Sequence, residues 1–308
     1  MRGPSAHSIS EQATTPLRVL LAYLAVFIIW GSTYLAIRVG VQDLPPALFA
    51  GVRFVCAGAL MLGYGKLRGL PLPDLRGTRD LAITGIFLLI GGNLLVVWAE
   101  KTIPSGLAAL IIAIVPLFMS TIDAFMPRGQ ALPPIGWFGI LVGIAGTVIL
   151  VSPSLGVVEG EHLDPLGIAG LLLACLFWSI GSVYSRHHHV EGNVFVNSGV
   201  QNVVPGILLV LLGLATGEGA EFRLTTNGTL ALLYLIFFGS IVGYTSYVYL
   251  LRHQPPAKAS TYAYVNPVVA IFLGWLILDE PVTVRTLIAA LVILAGVAIV
   301  QTSKMRKK

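Results

Sequence analysis

The sequence predicts an all-α polytopic membrane protein whose ten transmembrane helices form two inverted five-helix repeats. Its 308 residues are 56% hydrophobic and only 11% charged, with a mean hydropathy of +0.86. Soluble globular domains carry about 25% charged residues, so most of this surface must face lipid. This composition excludes an ordinary soluble enzyme and a disordered chain. Apolar runs of membrane-spanning length follow one another, and the two halves share a residue pattern.

Breaks at proline, glycine and charged residues delimit ten runs of about 20 mainly apolar residues, the length that crosses a bilayer. The predicted spans are 18–38, 46–64, 80–98, 105–125, 133–151, 165–185, 194–214, 228–250, 256–278 and 283–302. The predicted organisation is a cytoplasmic tail at 1–17, a repeat at 18–151, an extracytoplasmic linker at 152–164, a repeat at 165–302 and a basic cytoplasmic tail at 303–308. These connections leave no room for a soluble domain.

Lysine and arginine predict the orientation, because cytoplasmic loops are enriched in both. With a cytoplasmic N-terminus, fourteen of them fall on the cytoplasmic side: Arg2, Arg18, Lys66, Arg68, Arg76, Arg79, Arg128, Arg186, Arg252, Lys258, Lys304, Arg306, Lys307 and Lys308. Four fall outside: Arg38, Lys101, Arg223 and Arg285. Their scatter along span ends argues against a nucleic-acid partner, despite a net charge of +5. We expect a bacterial-type inner-membrane protein with both termini cytoplasmic.

Residues of the same type recur in the two halves in the same order, which indicates an internal repeat. The matched pairs are Trp30 with Trp178, Arg38 with Arg186, Gly51 with Gly199, Pro104 with Pro255, Pro116 with Pro267, and Ala145-Gly146 with Ala295-Gly296. Since each half has five helices, the second half enters the membrane from the opposite side. Inverted repeats are typical of alternating-access carriers, which expose one central site to either side in turn.

Five segments carry a family resemblance: Trp30-Gly31-Ser32, Arg53-Phe54, Pro104 to Pro116, Ala257 to Pro267, and Leu278-Asp279-Glu280-Pro281. They resemble segments of the drug/metabolite transporter superfamily, in its EamA-type branch of ten-helix exporters. The first half departs from the pattern, with Met126-Pro127-Arg128 instead of the acidic closure and with Arg53 matched by Gln201. The resemblance implies a transporter, not an enzyme, that exports metabolites such as amino acids, aromatic ones among them.

Candidate residues of the substrate pathway are aromatic and polar side chains within the spans. Trp30 and Trp178 hold equivalent repeat positions and are followed by hydroxyl residues, which seldom face lipid. Tyr34 lies on the same helical face as Trp30. The other candidates are Asn93, Trp98, Tyr244, Tyr247, Tyr262 and Asn266. Together they predict a hydrated cavity with aromatic walls; the alternative for each is a hydrogen bond between helices.

Arg53 is the basic residue that lies well inside a span, where a charge is costly without a partner. A substrate carboxylate is one such partner, and helix-end carbonyl groups are the alternative. Pro116 and Pro267 fall near the middle of their spans, where proline removes a backbone hydrogen bond. Both are predicted to kink their helices, either for gating or as inert features.

Groups that catalysis or metal binding requires are missing from the predicted spans. All six histidines fall in tails or loops, Cys56 and Cys175 lie singly in apolar runs, and no phosphate-binding G-x-x-x-x-G-K-[ST] loop occurs. We therefore expect no cofactor, with a small molecule and the lipid bilayer as partners. The sequence leaves the oligomeric state open, and a monomer is plausible. One alternative is a sugar-phosphate or nucleotide-sugar antiporter, which would need more cavity cations than Arg53 and Lys258. A channel or a membrane-embedded enzyme is the alternative from another class.

The positions of the acidic residues along the predicted spans indicate how transport is driven. Proton-driven carriers generally hold a carboxylate or histidine at membrane depth. Here the acids fall in tails, loops or the ends of spans, except Asp123, which is two residues inside its span and is expected to snorkel or to pair with Arg128. The sequence therefore predicts transport driven by the solute gradient, without obligatory proton coupling.

Single cysteines at Thr78 and Glu159 test the orientation. In intact cells, a membrane-impermeant thiol reagent should label Glu159→Cys, whereas Thr78→Cys should react only after the cells are permeabilised. The reason is that the loop containing Thr78 carries four of the cytoplasmic basic residues, Lys66, Arg68, Arg76 and Arg79. Labelling at position 78 together with protection at 159 contradicts the orientation.

Overall fold

The computed structural model describes residues 16–126, 131–152, 163–254 and 259–305, and these residues form helices without any β-strand. The helices are α1 (Pro16–Asp43), α2 (Pro46–Leu67), α3 (Leu75–Ala99), α4 (Ser105–Phe125), α5 (Pro134–Val151), α6 (Pro165–His187), α7 (Val194–Ala215), α8 (Thr226–His253), α9 (Tyr262–Leu278) and α10 (Val284–Met305). An all-helical chain suits a bilayer, because a helix satisfies its backbone hydrogen bonds within itself.

Nine of the described helices are long and apolar enough to cross a membrane, so the chain is a polytopic membrane protein. The other, α9, has 17 described residues. Its predicted span, 256–278, begins in the segment 255–258, which lies outside the described residues. The number of ten spans therefore stays a prediction, as does the inverted arrangement of the repeats.

Polar side chains cap the N-termini of several of these helices. Asp74 Oδ1 accepts a hydrogen bond from Gly77 N at 2.7 Å at the start of α3, and Thr225 Oγ1 accepts one from Gly228 N at 3.0 Å at the start of α8. Asn193 Oδ1 accepts from Phe195 N at 2.9 Å before α7. Each cap satisfies an N–H group that has no partner within its own helix.

Several helices extend beyond their predicted limits. α1 continues to Asp43, and α6 and α8 end at His187 and His253. The expectation that both histidines lie in loops is therefore wrong, since each is the last residue of a helix. Hydropathy marks the lipid-facing part of a helix, whereas its polar end turns project beyond that part.

Helices of the first half pack mainly on helices of the second. The main pairs are α1 with α8, α2 with α7, α3 with α6 and α5 with α10, while α4 packs on both α6 and α9. Because every pair joins the two halves, neither half has a separate core, and the interior lies between them.

Glycines allow the closest of these contacts. In α10, a β-carbon at Gly296 would lie 2.7 Å from both the Gly139 carbonyl oxygen and the Gly143 Cα of α5. In α2, a β-carbon at Gly58 would lie 2.7 Å from Val203 N of α7. Small residues are common at such interfaces because lipid provides no hydrophobic force between helices, and association depends on close packing.

Gly296→Ala should destabilise the protein by about 1–3 kcal/mol, because the added methyl group meets backbone atoms that cannot move aside. Gly63→Ala, in α2, is the matched control, since a β-carbon there has no neighbour within 4 Å. Thermal unfolding of the purified variants in detergent should show a lower midpoint for Gly296→Ala alone. Equal midpoints would contradict the close packing of α5 and α10.

Candidate functional site

A cavity of about 60 Å³ lies between the two halves, lined by residues of α1, α2, α3, α4, α6, α8 and α9. Its lining includes seven of the predicted pathway residues: Trp30, Tyr34, Arg53, Asn93, Trp178, Tyr244 and Tyr262. These residues are far apart in the sequence, and the packing of the two halves brings them together. A water molecule needs about 10–15 Å³ measured in this way, so the cavity has room for a few waters.

Arg53 contributes a buried positive charge to the cavity, since only 4% of the residue is exposed. Its Nε donates to Ser240 Oγ at 2.8 Å, and its Nη1 donates to Asn93 Oδ1 at 3.4 Å. Among the described residues, no carboxylate lies within ion-pair distance of this guanidinium. Its described hydrogen-bond partners are therefore neutral groups, and an anionic group that entered the cavity could form an ion pair with the guanidinium.

Four aromatic rings from four helices form one cluster beside Arg53: Trp30 of α1, Trp178 of α6, Tyr247 of α8 and Tyr262 of α9. The ring centres of Trp30 and Tyr247 are 4.9 Å apart, and the Trp30 ring meets those of Trp178 and Tyr262 edge-on at 5.4 Å and 5.6 Å. Such pairs each contribute about 0.5–1.5 kcal/mol beyond the burial of area. The cluster therefore ties α1, α6, α8 and α9 together at the cavity.

Most polar atoms of this wall already have partners. Trp178 Nε1 donates to Tyr247 OH at 3.2 Å, which also lies 2.7 Å from Ser182 Oγ. Trp30 Nε1 donates to the carbonyl oxygen of Gly239 at 3.2 Å. The buried hydroxyl of Tyr244, in contrast, has no hydrogen-bond partner within the described part of the chain. Tyr244 therefore offers a donor and an acceptor to a ligand in the cavity.

Three predicted pathway residues do not line this cavity. Tyr247 lies behind Trp30 and Trp178 as the buried centre of the aromatic cluster. Trp98 is 40% exposed and packs over Gly170 of α6. Asn266, with its amide nitrogen turned towards α1, donates to the carbonyl oxygens of Val26 at 3.2 Å and Phe27 at 3.1 Å. The geometry of Asn266 matches the alternative of a hydrogen bond between helices.

The two predicted kinks differ. Helix α4 is interrupted at residues 113–114, and its second part begins at Val115, with Pro116 in the first turn. Ser179 of α6 donates to the carbonyl oxygen of Val115 at 3.2 Å, close to the interruption. Pro267 lies inside α9, which continues as one helix through it.

Three helices contain π-helical segments that were not predicted from the sequence. They are Ala25–Trp30 in α1, Ile86–Leu94 in α3 and Leu235–Gly243 in α8. Each segment contributes to the cavity wall, through Trp30, Asn93 and Ser240 among others. The wider turn of a π-helix leaves the backbone register of an α-helix, and such segments are frequent at functional sites. No residue pattern in the sequence distinguishes them from α-helix.

A larger cavity of about 1890 Å³ opens at the end of the molecule that carries the loops after α2 and α6. This vestibule follows α1 as far as Ala25 and α8 as far as Val242, next to the residues of the smaller cavity. His189 lies on its wall, where burial and then the charge of Arg252 lower its pKa.

Two acids depart from the expectations. Asp123 is buried and pairs with Arg186 of α6, with 3.7 Å between Oδ1 and Nη1, whereas the expected partner Arg128 lies outside the described residues. Glu100, predicted to lie in the short connection after the third span, follows α3 directly and is completely buried. Its place after the helix agrees with the prediction, whereas its burial was not predicted.

The EamA-like transporter family matches residues 17–152 and 165–302 of this chain. The uncharacterized inner membrane transporter YedA of Escherichia coli strain K12 is 39% identical over 254 residues, which are 82% of this chain and 80% of that protein. A probable amino-acid metabolite efflux pump of the same strain is 26% identical over 293 residues, which are 90% of this chain and 92% of the pump.

A solved crystal structure, described only as that of a protein, has a similar fold with a TM-score of 0.68. The match covers 96% of this chain and 100% of that chain, at 21% identity. At this identity the likeness establishes the fold alone.

Proposed function

Because this chain belongs to the EamA-like transporter family, we propose that it is a secondary transporter that exports small organic metabolites by alternating access. The chain is a multi-pass membrane transporter and not an enzyme. The proposed substrates are amino acids, aromatic ones among them. The proposed driving force is the gradient of the solute, without obligatory proton coupling.

The observation that carries the substrate class is the buried guanidinium of Arg53 within an aromatic wall. A guanidinium held by neutral groups attracts a carboxylate, and the unpartnered hydroxyl of Tyr244 offers a second hydrogen bond. The rings of Trp30 and Trp178 provide apolar faces for a side chain. An amino acid carries both features, a carboxylate and a side chain to pack on the rings.

The cavity favours a carboxylate over the phosphate groups of the alternative substrates. Among the described residues that line it, Arg53 is the single cation, whereas a sugar phosphate or nucleotide sugar would require several. Lys258, the other candidate cation, lies outside the described residues.

Alternating access is supported by features that repeat between the halves. The π-helical segments of α3 and α8, Ile86–Leu94 and Leu235–Gly243, fall at corresponding places in the proposed repeats 18–151 and 165–302. Every main helix pair joins one half to the other, so a small rearrangement of the halves changes the space between them. The cavity is too small for an amino acid in this conformation, and binding one requires α1, α6, α8 and α9 to separate.

The proposed setting is the inner membrane, as the name of the relative YedA states for that protein. We propose that the tails and the large vestibule face the cytoplasm, so that solute would enter from there. The proposed partners are a small-molecule solute and the bilayer, with a monomer as the working unit.

Trp30→Ala and Trp178→Ala should each reduce solute exchange about tenfold or more, because each removes at least two ring contacts worth about 1 kcal/mol apiece and alters the cavity wall. Trp275→Ala is the matched control, since that ring is 53% exposed on α9. Exchange of radiolabelled amino acids in proteoliposomes measures the effect. Parental rates in both variants, purified as single species, would refute the assignment of the cavity.

Arg53→Gln should raise the half-saturating concentration of an aromatic amino acid roughly ten- to hundredfold, because a charge-assisted hydrogen bond contributes about 1.5–3 kcal/mol. The parent protein should also prefer phenylalanine to phenylalaninamide, which has no carboxylate, and the variant should lose this preference. The control is Arg79→Gln, which removes an exposed arginine outside the cavity. If Arg53→Gln keeps the parental preference, Arg53 does not bind the carboxylate.

A further inference from the structure

Glu100 is a buried carboxyl group that the proposed substrate site does not use. It follows the last residue of α3, and 0% of it is exposed. Neither of its carboxyl oxygens has a hydrogen-bond partner within the described ranges. An ionised carboxylate in such a place would lose its hydration without compensation, at a cost of several kcal/mol. The neutral, protonated form therefore fits the closed arrangement of this structure.

The groups that act on Glu100 come from several elements. Glu280 after α9 and Arg38 of α1 act on its charge, and its charge acts on Tyr34 of α1. Two further charged residues belong to this region, Lys101 beside it in the chain and Asp164 at the start of α6. Arg38 donates a hydrogen bond to the backbone carbonyl oxygen of Glu100 and not to its carboxyl group. Asp164 Oδ2 accepts from Thr102 Oγ1 at 2.8 Å, and Lys101 is exposed.

Glu280, in contrast to Glu100, has its hydrogen bonds satisfied. Its carboxylate accepts from Ser105 N at 2.7 Å, Ser105 Oγ at 2.9 Å and Gly106 N at 3.0 Å. It therefore caps the start of α4, where the helix dipole favours a negative charge. This contact also joins the loop of the second half to the first half at the closed end of the molecule.

The two carboxyl groups consequently differ in their environments. Burial, and then the negative charge of Glu280, raises the pKa of Glu100 well above its usual range, whereas Arg38 lowers it to a smaller extent. Two neighbouring carboxylates do not readily ionise together in a site of low dielectric. The oxygens of Glu280 accept three hydrogen bonds, whereas the surroundings of Glu100 favour its neutral form.

We propose that Glu100 is a proton-binding site that keeps this end of the carrier closed. Glu100 holds its proton while buried, and it releases the proton to the water on the same side when the loops around Glu280 and Ser105 separate. The inference rests on the alternating access proposed above, but not on the identity of the solute. Because the proton leaves and returns at one end, it does not cross the membrane, and pH alters opening without driving accumulation.

The pH dependence of opening follows from the protonation of Glu100 in two states, the closed state in which it is buried and the open state in which it is hydrated. At a pH below the ordinary range of a glutamic acid, Glu100 is protonated whether this end is open or closed. As pH rises, the hydrated open state ionises first, so opening is favoured by up to about tenfold for each pH unit. The effect levels off when pH reaches the raised pKa of the closed state.

Accessibility of Ile103 provides the readout, because Ile103 is completely buried in the same loop. The full-length protein, with Cys56 and Cys175 changed to alanine and Ile103→Cys introduced, is held in lipid nanodiscs without solute. The rate at which an impermeant maleimide labels the introduced cysteine in this protein is divided by the rate at which it labels Thr216→Cys, an exposed position after α7. This division corrects for the pH dependence of the thiol reaction itself. The ratio should rise several-fold from low to high pH.

Glu100→Gln should keep the low-pH ratio at every pH, since glutamine cannot ionise. Glu100→Leu, which is also neutral, is the second variant and should give the same flat response. Glu221→Gln, at an exposed acid near the end of α7, is the matched control and should keep the rise. An unchanged rise in the Glu100 variants, or a flat response in the parent, overturns the proposal. Since the assay needs no solute, a failed transport assay with an intact pH response refutes the proposed substrates and not this site.

Discussion

Lipid offers no hydrogen bonds to a peptide backbone, and the structure follows from that constraint. In three of the four described helices that leave the α-helical register, a side chain of a neighbouring helix donates a hydrogen bond to a backbone carbonyl group at or beside the irregular segment. Asn266 donates to the carbonyl oxygens of the π-helical segment in α1, Trp30 donates to that of Gly239 in α8, and Ser179 donates next to the interruption of α4. One face of each π-helical segment therefore points into the bundle, where it forms part of the cavity wall.

Because lipid provides no hydrogen bonds, the protein groups around a buried ionisable residue decide what that residue can do. Arg53 and Glu100 differ in these surroundings. Arg53 keeps neutral dipoles around its charge, which leaves the charge available within the cavity. Glu100 has no such dipoles at its carboxyl oxygens within the described residues, and it lies at one end of the molecule instead of in the cavity. One group is suited to a ligand, and the other is suited to a change of protonation when its surroundings open.

Much of the fold could be predicted from the sequence, because hydropathy reports directly on contact with lipid. The cavity residues Trp30, Tyr34, Arg53 and Trp178 could also be predicted, since amphipathic side chains within a span seldom face hydrocarbon. The outward position of Trp98 could not be, because it depends on how α3 is rotated against α6. The burial of Glu100 could not be predicted either, since it depends on tertiary contacts that hydropathy does not report. The π-helical segments could not be predicted because they differ from α-helix only in hydrogen-bond register.

The cap on α4 has a consequence for biogenesis. Glu280, which accepts the N–H groups of Ser105 and Gly106, is 175 and 174 positions further along the chain. When α4 leaves the ribosome, that carboxylate has not yet been synthesised, and the first turn of the helix still lacks its acceptor. The first half must therefore remain in the membrane in an unfinished state until α9 and the loop after it have been made. The two halves are thus completed together, late in translation, and not one after the other.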